Sequence, residues 1–204
     1  MEPENENKKT SQSPIEIYPE KKETRSEKLG KGFWELARFI AISAIIIIPI
    51  RYYIAQPFVV SGASMEPSFR DGEYLIVDEI SYRFDKPQRG DVIIFRSPIE
   101  KGRYLIKRII GLPYETLEIF DNKIVIINSD NPEGFSLGED YVKNKVLEEE
   151  KTIILGEKEY YVLGDNRPVS ADSRIWGPLS KENIVGKPLF RLFPLTKLSV
   201  WPGK

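Results

Sequence analysis

The chain contains no histidine and no cysteine. The usual general base, the commonest metal ligand and the thiol nucleophile are therefore missing, which excludes a Ser-His-Asp triad, a cysteine nucleophile and a His- or Cys-based metal centre. Acyl transfer in such a chain has to activate a Ser or Thr hydroxyl with a lysine or a carboxylate. An excess of charge of one sign is lacking too. With 30 basic and 31 acidic residues the formal net charge is -1, and no overall basic field points to nucleic acid as a partner. The missing cysteines leave the compartment open, because exported domains can dispense with disulfides.

What is present divides into three texts. Its 204 residues, 41% of them apolar, suffice for one sizeable core with a small appended subdomain. Residues 1–31 are rich in Glu, Lys, Ser and Pro with little to bury, the composition of a disordered tail. Residues 32–55 change abruptly to an apolar run whose uncharged centre is Phe39 to Ile50. That centre is shorter than the roughly 20 residues needed to span a hydrocarbon core. Arg38 and Arg51 can snorkel to opposite interfaces, however, and Trp34, Tyr52 and Tyr53 suit the headgroup belts, so the run reads as a membrane helix. No small-residue cleavage signature follows it, which argues against a removed signal. Arg25, Lys28 and Lys31 precede the run and no Lys or Arg lies between Arg51 and Arg70, which places the N-terminus in the cytoplasm and residues 56–204 on the far side.

Residues 56–204 are strand-like. Short apolar segments, Tyr74–Val77, Val92–Phe95, Leu105–Ile110, Ile124–Ile127, Thr152–Leu155 and Tyr160–Leu163, alternate with turn signals such as Asp71-Gly72 and Arg89-Gly90-Asp91. The expectation is a mainly β domain, with residues 115–159, different in texture, as an inserted subdomain.

Four local patterns carry chemistry. Ser61-Gly62-Ala63-Ser64-Met65-Glu66-Pro67 is a small-residue turn in which Ser64 can be exposed and a peptide backbone can approach. Alone, it reads as an ordinary turn. In Leu105-Ile106-Lys107-Arg108-Ile109-Ile110-Gly111, alternation sends Lys107 and Arg108 to opposite faces, and a lysine held among apolar side chains loses affinity for its proton. The bland alternative is an edge-strand lysine with its amine in water. Gly164 to Gly177, GDNRPVSADSRIWG, is dense in Asp and Arg that can cross-pair into a rigid loop, and Ser170 can orient a neutral amine. A metal or phosphate reading of these carboxylates is weaker, lacking both His and a glycine-rich phosphate loop. Arg89-Gly90-Asp91-Val92-Ile93-Ile94-Phe95 reads as a turn entering a core strand.

In this order, after an apolar segment, the four patterns resemble the boxes of bacterial type I signal peptidases. The resemblance covers most of residues 56–190, and its last box is the most specific. It implies the family's coiled β-sheet catalytic core with a small inserted subdomain, anchored by one N-terminal transmembrane helix. It also implies Ser64 as nucleophile, Lys107 as general base, Ser170 as the hydroxyl that positions the amine, and Asp172 with Arg174 as a supporting ion pair. Phe58, Val60, Met65 and Ile106 fall where the family lines its pockets for small residues before the scissile bond. The implied reaction is removal of signal peptides from exported preproteins at the plasma membrane, without metal or cofactor. Three departures stand out. Gly62 occupies the place of a helper serine found in some members, Ser68-Phe69 replaces the frequent Thr-Leu, and Pro113-Tyr114-Glu115 replaces Pro-Gly-Asp. Rival readings are a self-cleaving repressor-type Ser/Lys protease, disfavoured by the lack of a DNA-binding helical domain, and an inert membrane-anchored β module that binds exported partners.

Overall fold

The computed structural model describes residues 25–49, 55–143 and 150–203. Residues Met1–Ile45 and Ile46–Lys204 form two compact units.

The first described element is a long helix, α1 (Arg25–Pro49). It begins inside the stretch that composition assigns to the tail. Phe33, Trp34, Phe39 and Ile45–Ile48 are exposed along it. Among the described residues no helix is both long and apolar enough to cross a membrane. Glu35 and Arg38 interrupt the N-terminal half of the apolar run, and residues 50–54, part of the span expected over 32–55, lie outside the described residues.

The second unit is mainly β. Its strands are β1 (Ala55–Val59), β2 (Tyr74–Asp78), β3 (Val92–Arg96), β4 (Tyr104–Gly111), β5 (Thr116–Phe120), β6 (Lys123–Asn128), β7 (Asn131–Ser136), β8 (Lys151–Ile154), β9 (Glu159–Leu163), β10 (Leu179–Ser180), β11 (Ile184–Phe193) and β12 (Ser199–Val200). The larger sheet runs β1-β2-β11-β3-β4-β9-β10, with β12 paired to β11, and its registered pairs are all antiparallel. A four-stranded sheet, β7-β6-β5-β8, falls within residues 115–159. Its first hairpin turns on Asp121 and Asn122, at φ 47° and 58°, the left-handed pair that a two-residue hairpin loop demands.

The two sheets share cores through β4 and β9. Ile109 packs with Ile93, Phe95, Tyr160, Val162 and Leu179 on one side. Its neighbour Ile110 packs with Tyr161, Leu163, Leu117, Ile124 and Ile126 on the other. Successive side chains of a strand point to opposite faces, so a strand between two cores is apolar at every position rather than at alternate ones. That explains why YYVL, and LIKRII apart from its two charges, read as unbroken apolar runs. Lys107 and Arg108, sent to opposite faces of β4, are both buried, because from Lys107 onward the strand is covered on either side, whereas its start at Tyr104 is exposed. A third cluster, Val60, Met65, Phe69, Leu75 and Val92, with Ile106 packed against it, lies beneath the turn that carries Ser64. Trp176 packs against the Ile93 and Phe95 cluster, 6.3 Å from the Phe95 ring.

Candidate active site

The turn after β1 is fixed from both ends. Val60 N–H donates to Glu73 O and Gly72 N–H to Val60 O, each at 2.9 Å, while Met65 and Phe69 are sunk in the core below. Gly62 adopts φ 89°, a conformation that favours glycine, and its N–H donates to Asp71 Oδ1 at 2.8 Å. That amide is therefore already engaged. The N–H of Ser64 has no acceptor among the described residues, and its side chain is half-buried at the mouth of a groove.

Lys107 reaches this turn from the middle of β4, where it lies opposite Ile93 of β3. Its Nζ is 2.7 Å from Ser64 Oγ and 2.9 Å from Ile106 O. Only 3% of the residue is exposed. Burial, which penalises the ammonium, lowers its pKa from the ordinary 10.5 to about 8; Asp172 and Asp165 oppose the shift and Arg103 adds to it. About a tenth of this amine is thus neutral at pH 7, within reach of a hydroxyl.

The loop from Gly164 to Gly177 closes the site, and its ion pairs differ from the expected cross-pairing. Only Asp172 and Arg174 pair within the loop, with Nε to Oδ1 at 2.8 Å and Nη2 to Oδ2 at 2.9 Å; Asp172 also accepts from Gly164 N–H. Asp165 instead binds Arg108 of β4 with both oxygens, at 2.9 and 2.7 Å, and takes the hydroxyl of Ser68 at 2.6 Å. Arg167 reaches outward to Glu139. The loop is pinned to its surroundings because an Asp and an Arg two residues apart, with Asn166 between them, face different partners. Asn166 itself meets the nucleophile turn, donating from N–H to Ser64 O at 3.0 Å and from Nδ2 to Ala63 O at 3.1 Å.

Ser170 is buried beside these groups, but its Oγ makes no hydrogen bond among the described residues, so the expected bond to Lys107 is not formed. Gly164 explains how close it comes. A Cβ at that position would lie 2.2 Å from Ser170 Oγ and 2.5 Å from Ser64 O. Only a residue without a side chain lets the loop and the turn meet there.

A groove of about 370 Å³ opens beside Ser64 and Lys107. Phe58, Val60 and Ile106 line it, together with Ala63, Leu75, Tyr104 and Val169, and the Phe58 and Tyr104 rings stand edge to face at 5.2 Å. Met65, expected on the wall, is instead wholly buried in the cluster behind it. One flank of β4 is open here, because β9 pairs with Arg108, Ile109 and Gly111 and leaves Tyr104–Lys107 bound to β3 alone. Asn166, Asp71, Glu139 and Tyr141 were not singled out as site residues from the sequence. Asn166 sits inside the specific GDNR text, whereas nothing local marks the other three.

Comparison with known proteins identifies a family. A family model described as "Signal peptidase, peptidase S26" matches residues 33–193. Signal peptidase I V of Bacillus subtilis is 35% identical over 166 residues, covering 78% of this chain and 96% of that protein. A probable signal peptidase I-1 of Synechocystis sp. is 33% identical over 165 residues, covering 78% of this chain and 81% of that one. A crystal structure of a signal peptidase I from Enterococcus faecalis is 38% identical, with a TM-score of 0.42, and covers 50% of this chain and 97% of its own. With most of its length matched by the family and by relatives above 30% identity, the chain belongs to the signal peptidases of the peptidase S26 family.

Proposed function

We propose that this chain is a membrane-anchored serine endopeptidase that removes signal peptides from exported preproteins, with Ser64 as nucleophile and Lys107 as general base. The observation that carries the reading is the 2.7 Å approach of a buried lysine amine to a serine hydroxyl at the mouth of a mostly apolar groove. Neutral Lys107 takes the Ser64 proton as Oγ attacks the scissile carbonyl. The developing oxyanion is met by the uncommitted Ser64 N–H. Lys107 then protonates the leaving amine and later draws a proton from the water that hydrolyses the acyl-enzyme, acting as acid and base in turn. A neutral amine has two N–H bonds; one meets Ile106 O, and the buried Ser170 hydroxyl is the group suited to hold the other once substrate closes the site. Asp172 and Arg174 brace the loop that carries it.

Phe58, Val60 and Ile106 leave room for small side chains before the cleavage site, with Met65 stiffening the wall from behind. Anchoring is supported by the exposed apolar side chains of α1, from Phe33 to Ile48, which in water would face solvent unprotected. The basic residues Arg25, Lys28 and Lys31 favour a cytoplasmic N-terminus and an extracytoplasmic catalytic domain.

The test is cleavage, in detergent, of a preprotein carrying Ala-x-Ala by the wild type, Ser64→Ala and Lys107→Ala. Both variants are expected to lose cleavage; wild-type rates in both refute the dyad. Alkaline carbonate washing of membranes that hold the full chain tests the anchor, and its release into the supernatant refutes it.

A further inference from the structure

Two buried arginines bracket Asn166, and both are seated by one short stretch of the connection between β7 and β8. Glu139 is 2% exposed. Its oxygens accept from Arg167, Nη1 to Oε2 at 3.2 Å and Nη2 to Oε1. Arg167, 1% exposed, also donates its Nε–H to Gly164 O at 3.0 Å. Two residues beyond Glu139, the Tyr141 ring lies 4.1 Å from the Arg108 guanidinium, the same group that binds Asp165 with two hydrogen bonds. The stretch is itself held, since Val142 is buried and its N–H donates to Glu139 O at 3.0 Å. Asp165 and Arg167 are thus anchored on either side of Asn166, and Asn166 makes the hydrogen bonds to Ala63 O and Ser64 O.

We propose that Glu139 and Tyr141 are positioning residues for acyl transfer: by seating Arg167 and Arg108 they press Asn166 against the nucleophile turn and so aim the Ser64 hydroxyl and N–H. The inference rests on the reading of Ser64 as nucleophile. Neither residue lines the substrate groove, and neither contributes to the lowered basicity of Lys107. Their route to the chemistry is the backbone of the turn. Addition of a hydroxyl to a carbonyl needs the reacting atoms about 3–3.5 Å apart and aligned, and a displacement of about 1 Å costs roughly a hundredfold in rate. A buried ion pair that serves stability alone behaves differently, because apolar residues of similar volume replace it at little or no cost.

The test uses the full chain in detergent and an Ala-x-Ala peptide, measuring kcat, KM, thermal midpoint and the pH midpoint of kcat/KM. The double variant Glu139→Leu/Arg167→Met removes both charges together. It is expected to fold, to lose about ten- to a hundredfold in kcat, and to keep KM within about twofold and the pH midpoint unchanged. Tyr141→Leu is expected to lower kcat, and Tyr141→Phe, which keeps a ring on Arg108, to restore most of it. A folded double variant that turns over at the wild-type rate overturns the proposal. So does a loss confined to KM, or a loss accompanied by a shifted pH midpoint, which would locate the effect at the groove or at Lys107. If the double variant does not fold, the Tyr141 pair decides, and equal kcat for Leu and Phe overturns the proposal. Cleavage by Ser64→Ala is a separate outcome that removes the nucleophile reading itself.

Discussion

Replacing Lys107 with methionine is expected to abolish cleavage and at the same time stabilise the protein. Burial lowers the pKa of this lysine from 10.5 to about 8. A native pKa below the unfolded one means that at pH 7, where both states are protonated, the folded chain bears the cost of a buried ammonium, about 3 kcal/mol at 1.36 kcal/mol per pKa unit. As pH rises from about 8 to 10.5 the native state releases its proton while the unfolded state keeps it, so the cost is progressively relieved. Methionine fills similar space without charge. Its gain is trimmed by the loss of the amine's contacts with Ser64 and Ile106 O. Some 2 kcal/mol in a domain of this size raises the thermal midpoint by about 4–8 °C at pH 7. The assay is thermal unfolding of wild type and Lys107→Met at pH 7 and pH 10, and the gap should narrow markedly at the higher pH. A variant that melts at or below the wild type at pH 7, or a gap independent of pH, refutes the account of Lys107 as a destabilised cation. With Lys107 as the proposed base the same protonation would govern rate, so log kcat/KM should climb with unit slope to a midpoint near pH 8, with about a tenth of full activity at pH 7.

Three further outcomes follow from the packing. Gly164→Ala drives a methyl into Ser170 Oγ and Ser64 O and should cost about a hundredfold in kcat, read by peptide cleavage; activity within twofold of wild type contradicts the close approach. Asp165→Asn leaves Arg108 buried without its counter-charge and should lower unfolding free energy by about 3–5 kcal/mol, read by urea titration, with a loss under about 1 kcal/mol counting against it. Tyr114 adopts φ 67° in an exposed turn, so Tyr114→Gly should stabilise the chain by about 0.5–1 kcal/mol, and a lowered thermal midpoint would show that the side chain contributes more than its strain costs.

Every strand expected from its apolar run is present within a residue or so at either end, because β-branched runs bounded by turn residues have few other solutions. Among the others, β5 alternates cleanly as TLEIF and was simply missed, β10 and β12 are two residues long, and three have physical reasons. β1 carries Pro57 and Gln56, β7 contains Gly134 and Pro132, and β11 mixes Lys187, Pro188 and Arg191 into its length, so none shows a clean alternation. The site was legible where its chemistry is concentrated in short texts, as with Ser64, Lys107 and the 164–177 loop. It was illegible where partners are distant. Glu139 meets Arg167 across 28 positions and Tyr141 meets Arg108 across the intervening strands, with no local pattern to announce either. Met65 was placed on the groove wall by the family resemblance, but a turn that brings Ser64 to the groove directs the next side chain inward.

The open flank of β4 has a consequence for what can be processed at all. Between Tyr104 and Lys107 the strand offers main-chain groups on a side that no other strand covers, facing a groove whose opposite wall includes the last residues of β1. Backbone groups so arranged suit a guest that adds as a further strand. On the proposed function, chains would be sorted first by shape: a helical or folded segment would find no partners for its main chain, however suitable its side chains, while an extended one would dock and then be examined for size. Preproteins that keep their cleavage region helical would be spared for as long as the helix lasts, and the rate of unwinding would set the rate of their maturation.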